Sequence, residues 1–160
     1  DNLKTIETLP KVLDKDIDDC AIIIPNEAIR DEGTSYHYLD GDDTIKVNKK
    51  YVSEFKEILD NLGYDYVEGM TWTNDAFYRE NRKKLESRVT MGAKCVEMEC
   101  SALQAVSDFR KIDLFMFFYA GDNLDLDEWD MRSLFGDVKL DEKSRIALLA
   151  LELGYKISED

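Results

Sequence analysis

Glu97 and Glu99 flank Met98 in the run Val96-Glu97-Met98-Glu99-Cys100. The apolar residues before it read as a strand and those after it as a helix, so the two acids fall at a strand-to-helix junction. Carboxylates near a core are costly unless they have partners. At the C-terminal end of a strand they can instead face a ligand crevice. A carboxylate accepts hydrogen bonds from two hydroxyls, and a vicinal diol such as a ribose offers two donors. The plain alternative is a pair of acids placed in a first helical turn, where they complement the helix dipole. Local sequence leaves both readings open.

Other candidates are weaker. Asp122 follows an apolar run in Gly121-Asp122-Asn123, where an Asp in a turn is common. Phe77 is an aromatic in a polar stretch, and a Phe is more often core than ligand contact. His37 is the sole histidine, so no Ser-His-Asp set can be argued without geometry. Asp40-Gly41-Asp42-Asp43 and Asp125-Leu126-Asp127-Glu128 are acidic, but neither has the ligand spacing of an EF-hand loop. Both read as solvated loops. No Cys/His set has zinc spacing, and no metal is expected.

Composition limits the classes. The chain has 160 residues and a net charge of −14, from 35 acids and 21 Lys plus Arg. That charge opposes nucleic-acid and anionic-membrane binding, which need a basic footprint. The apolar share of 44% argues against disorder and for one domain over residues 1–160. Cys20, Cys95 and Cys100 lack CxxC spacing and are odd in number. They read as reduced thiols of a cytoplasmic protein. No apolar run approaches the length of a membrane span.

These residues need elements to position them. Asp1 to Asp19 is polar and acidic. Ala21-Ile22-Ile23-Ile24 is a buried strand ended by Pro25, and Arg30 to Asp43 is a loop. Asn48 is placed to cap a helix to Leu62 that buries Val52, Phe55, Leu59 and Leu62 and stops at Gly63. A strand near Tyr66 to Thr73 precedes a charged helix from Ala76 to Arg88. Lys94 to Met98 is a short strand, and a helix from Glu99 to Arg110 buries Leu103, Val106 and Phe109. Leu114 to Ala120 is wholly apolar, as central strands are. Asp141 caps a last helix that buries Ile146, Leu149, Ala150 and Leu153 and ends at Gly154. Strands alternate with helices, so the class is α/β.

Four segments in order carry a wider resemblance. They are Ala28-Ile29-Arg30-Asp31-Glu32-Gly33-Thr34-Ser35-Tyr36-His37-Tyr38, then Thr71-Trp72-Thr73-Asn74-Asp75-Ala76-Phe77-Tyr78-Arg79-Glu80, then Val96 to Cys100, then Ala120-Gly121-Asp122-Asn123. Together they resemble the nucleoside phosphorylase family, which includes purine nucleoside phosphorylase, uridine phosphorylase and related nucleosidases. The resemblance runs from about Leu13 onward. It implies a mixed sheet flanked by helices, of which this chain is the C-terminal portion, with the N-terminal strands missing.

The resemblance also implies roles. Glu99 matches the acid on the ribose 2′ and 3′ hydroxyls, Met98 the residue packing on the sugar, and Phe77 the aromatic against the base. Asp122 matches the acid that protonates N7 of a purine as the glycosidic bond breaks. The family often has Ser before this Asp, where this chain has Gly121. Asn81 and Lys83 replace the Gln and Arg of uridine-specific members, which weakens a uridine preference. His37 matches a structural loop near a subunit contact. The implied activity is phosphorolysis of a purine-type nucleoside to base and ribose 1-phosphate, a glycosyltransferase reaction with phosphate as co-substrate and no cofactor. Where the family's glycine-rich phosphate loop would end, this chain reads Thr8-Leu9-Pro10-Lys11. A phosphate cradle needs close backbone N–H groups, and proline has none. The activity is therefore expected to be impaired. The alternative is a non-catalytic, self-associating remnant or weak nucleoside-binding module. An open sheet edge, completed by a homo-oligomer or by an N-terminal segment, fits either.

Overall fold

A computed structural model describes residues 4–8, 11–124, 130–133, 137 and 139–158. Eight strands and four helices follow the order β1 (Lys4–Thr8), β2 (Lys11–Val12), β3 (Ile22–Asp31), β4 (Thr44–Lys46), α1 (Val52–Leu62), β5 (Tyr66–Asn74), α2 (Arg82–Thr90), β6 (Ala93–Glu97), α3 (Cys100–Arg110), β7 (Leu114–Tyr119), β8 (Asp122–Asn123) and α4 (Leu140–Ser158). Two 3-10 turns, Ser35–His37 and Phe77–Arg79, precede β4 and α2. The sheet is mixed, as expected, with strand order β1-β7-β3-β5-β6-β2-β8 and β4 beside β3. The stretch before Leu13 differs from its polar reading: it forms β1, parallel to β7, and β2, antiparallel to β6.

The sheet must curl. Asp122 opens β8 soon after Tyr119 closes β7. Three residues reach about 11 Å at most. Through the sheet, β7 and β8 lie five strand spacings apart, about 24 Å if flat. The two ends therefore bend toward one another. The Ala120 N–H donates to the Ala21 carbonyl, and the Leu124 N–H to that of Val12. Side-chain parity sorts the core on this curl. Ile23, Met116 and Phe118 pack inside with Val12, Cys95 and Cys100. Ile22, Ile24, Phe115 and Phe117 face outward against Phe55 and Leu59 of α1 and Ile146, Leu149 and Leu153 of α4. Full burial of one such side chain contributes about 1.5–3 kcal/mol.

Pro25 does not end its strand. β3 continues to Asp31 because the register with β5 shifts between Pro25 and Glu27, which lets the ladder pass the missing N–H. Asn48 explains how the sheet tolerates this. Its pairing partner β7 meets β3 only at Ile22 and Ile23. Beyond that point the buried Asn48 amide donates to the carbonyls of Pro25 (2.8 Å) and Met116 (2.7 Å) and accepts from the Met116 N–H (2.7 Å). It bridges two strands instead of capping α1, whose N-cap is Tyr51 in the left-handed region (φ 65°).

Three helix faces also differ from their periodic reading. In α1, Ile58 is buried and Leu62 exposed, although Gly63 (φ 72°) does stop the helix. In α3 the buried residues are the small or polar Cys100, Ser101, Gln104, Ala105 and Ser107. Phe109 stays exposed and meets the Tyr38 ring edge-on at 5.6 Å, because α3 packs on the Ser35–His37 turn. In α4, Gly154 lies inside the helix, which runs to Ser158. The charged helix read over 76–88 splits into the Phe77–Arg79 turn and α2, which Asn81 caps by accepting from the Lys84 N–H.

Candidate functional site

Three parallel strands, β3, β5 and β6, end on one rim at Asp31, Asn74 and Glu97. Glu97 shares the strand parity of the buried Cys95 and points inward. Its carboxylate accepts from the hydroxyls of Thr73 (2.6 Å) and Thr71 (3.3 Å) and from the backbone N–H groups of Glu99 (2.8 Å) and Cys100 (2.6 Å). Burial pushes its pKa up to about 7, while the hydrogen bonds from Thr73, Glu99 and Cys100 pull the other way. The network continues. The Ser101 N–H donates to the Thr73 hydroxyl and its own hydroxyl to Glu32. Glu32 also accepts from the Ser35 N–H. Burial raises the Glu32 carboxyl, but the Ser35 and Ser101 hydrogen bonds outweigh it and hold it below the usual range.

The effect is to pin the first turn of α3 to the ends of all three strands. The two acids of the motif thus part company. Glu97 is a buried clamp, while Glu99 sits exposed at the N-cap position and makes no side-chain cap. Its carboxylate accepts only a 3.3 Å contact from the Met98 N–H among the hydrogen bonds seen. Met98 is 45% exposed.

Phe77 lies in the 3-10 turn after β5, 42% exposed, and is no core aromatic. The ammonium of Lys11 stands 3.2 Å above its ring centroid and pairs with Glu80 at 3.0 Å. Glu80 also accepts from Asn74 at the end of β5. Asp122 is buried and opens β8 directly beside Lys11. On its other side Lys11 pairs with Val96, two residues before Met98. Phe77 and Asp122 are therefore both neighbours of one residue, Lys11, which also pairs with the strand that leads to the Met98–Glu99 junction. Sequence reasoning saw Lys11 only as a replacement for glycine. Leu9 and Pro10 lie outside the described residues, as does the acidic run 125–128.

Arg30 belongs to the scaffold. Arg30 is buried, stacks its guanidinium 4.0 Å from the Tyr36 ring centroid and donates to Ser35 and to the Leu39 and Asp42 carbonyls. The Asp40–Asp43 loop is thus tied through its backbone. His37 ends the 3-10 turn and is exposed. Lys83 is exposed on α2. Among the described residues no group of three or more His, Cys, Asp or Glu side chains could hold a metal ion. The three cysteines are free and buried; burial pushes the Cys95 thiol up to about 12 and Cys100 well above its ordinary value. No helix of the described residues is long and apolar enough to cross a membrane.

The chain belongs to the phosphorylase superfamily, whose sequence pattern matches residues 12–153. Its fold is similar to that of AMP nucleosidase from Bacteroides thetaiotaomicron VPI-5482, with a TM-score of 0.74 and 20% sequence identity. The match covers 99% of this chain and 63% of the nucleosidase chain, so this chain spans less than two thirds of that protein's length. No curated protein matches it in sequence.

Proposed function

We propose that this chain carries the nucleoside-binding rim of an enzyme that cleaves the N-glycosidic bond of a purine-type nucleoside. The observation that carries the reading is the junction after β6. A buried carboxylate holds the backbone of residues 99 and 100, and the next acid, Glu99, is left exposed beside Met98. In this reading Glu99 accepts from the 2′ and 3′ hydroxyls and Met98 packs on the sugar. Phe77 lies on the base, and Asp122 supplies a proton to the leaving purine. Phosphate is the acceptor, so the reaction is a glycosyl transfer that breaks the C1′–N bond and forms ribose 1-phosphate. The superfamily and the fold shared with a nucleosidase support the class of bond. Three buried free thiols support residence in a reducing compartment such as the cytoplasm.

One observation favours the second reading, a non-catalytic module. The Lys11 ammonium occupies a face of Phe77, where a base would stack.

Calorimetric titration with inosine and adenosine tests the site. Glu99→Gln should weaken binding by about 1.5–3 kcal/mol, the range for hydrogen bonds to a charged acceptor. Unchanged affinity would remove Glu99 from the site. Phosphorolysis by the chain assayed alone should stay far below the roughly 10 per second typical of enzymes; turnover at that level would reject the second reading.

A further inference from the structure

α4 buries one face and leaves a second apolar stripe in solvent. Leu148 and Leu151 are 55% and 68% exposed, and Tyr155, one turn on, is 64% exposed. With Ser144 they recur at spacings of four, three and four residues, which is the seam of a two-helix coiled coil. The flanks of this seam differ. One side carries Arg145 and Glu152, both exposed. The other carries Ala147 and Gly154, both exposed and both small.

Gly154 is the informative residue. It sits inside a helix, where glycine is unfavourable relative to alanine. A Cβ added there would meet nothing within 4 Å among the described residues. Packing among those residues therefore does not require it. A second helix approaching closely along that flank would.

We infer that α4 pairs antiparallel with α4 of a second copy of this chain. Reversing the helix on itself sets Leu148 against Leu151 of the second copy and Ser144 against its Tyr155. It also sets Arg145 against Glu152, and Ala147 against Gly154, each twice by symmetry. An isologous contact repeats every pair in this way. Opposite charges meet only in the antiparallel arrangement, because in a parallel one the flank with Arg145 and Glu152 faces the partner's flank with Ala147 and Gly154. The self-complementary charge pattern is what selects a second copy over another partner. One helix pair lies at the low end of specific interface size, below about 1,200 Å², so the affinity should be on the order of micromolar.

Sedimentation equilibrium on the full 160-residue chain, from about 1 to 200 µM to bracket that affinity, should show a reversible monomer–dimer equilibrium. Leu151→Glu, on the solvent side of the isolated chain, should raise the dissociation constant about a hundredfold while circular dichroism stays unchanged. Arg145→Glu should raise it about tenfold, and adding Glu152→Arg to that variant should restore it to within about threefold. Gly154→Ala should raise the thermal midpoint of the monomer yet weaken the dimer. A monomer at every concentration overturns the proposal. So does a dimer indifferent to Leu151→Glu, or one that the charge exchange fails to restore.

Discussion

The junction after β6 and the Phe77 turn after β5 lie on the same rim but are held in opposite ways. At the junction, a buried carboxylate on β6 takes four hydrogen bonds, two from hydroxyls of β5 and two from a helix start. Nothing in that arrangement covers Glu99. At the turn, a cation lies on the aromatic face and pairs with Glu80, which Asn74 also holds. The same contact that orders Phe77 also covers it. Rigidity and access are separable at one place and in conflict at the other. The physical reason is position. Glu97 works from beneath the surface that a ligand would touch, whereas Lys11 works from above it.

The largest expected effect breaks the junction. Glu97→Ala leaves the Thr73 hydroxyl and two helix-start N–H groups without their acceptor, each worth about 1–3 kcal/mol when buried. Urea denaturation should show a loss of about 3 kcal/mol or more. A change under about 0.5 kcal/mol, the range for ordinary surface sites, would mean that the clamp is idle. Glu99→Gln, two residues away, should fall in that small range for stability while still weakening nucleoside binding.

Acid–base behaviour sharpens the contrast. The folded-state pKa of Glu97 is about 7, above its ordinary 4.5. Between these values the native chain holds more protons than the unfolded chain. This contribution to stability is therefore fully present below about pH 4.5 and lost as pH rises through about 7. The span corresponds to roughly 3 kcal/mol. As pH rises across the window, the parent chain should lose stability relative to Glu97→Gln by an amount of that order. Parallel curves would show that Glu97 does not titrate there.

The smallest expected effect concerns the turn. Removing the ammonium with Lys11→Ala sacrifices a cation–π contact worth about 0.5–2 kcal/mol and uncovers the face of Phe77. Affinity for inosine should rise several-fold. Falling or unchanged affinity would show that the base does not use that face, and would leave Lys11 as a structural residue only.

Much of this molecule is local and was readable from the chain. The runs Ile22–Ile24 and Leu114–Tyr119 are strands because β-branched and aromatic residues without a break have few other uses, and Gly63 stops α1 because it adopts a left-handed φ. Four ordered motifs carried the family. Strand parity with Cys95 was the available signal that Glu97 points inward while the residues beyond the strand do not. Tertiary structure decided the rest. Asn48 looks like a cap by propensity, but two carbonyls and an N–H brought together across the sheet claim its amide. Pro25 passes within a strand because a bulge absorbs its missing donor. β2 and β8 have two residues each, too few for any pattern, and exist only because the sheet curls to bring them together. That same pairing sets Lys11 beside Asp122. Periodicity and propensity act over a few residues, whereas partners are chosen by which distant surfaces the closed sheet places within reach.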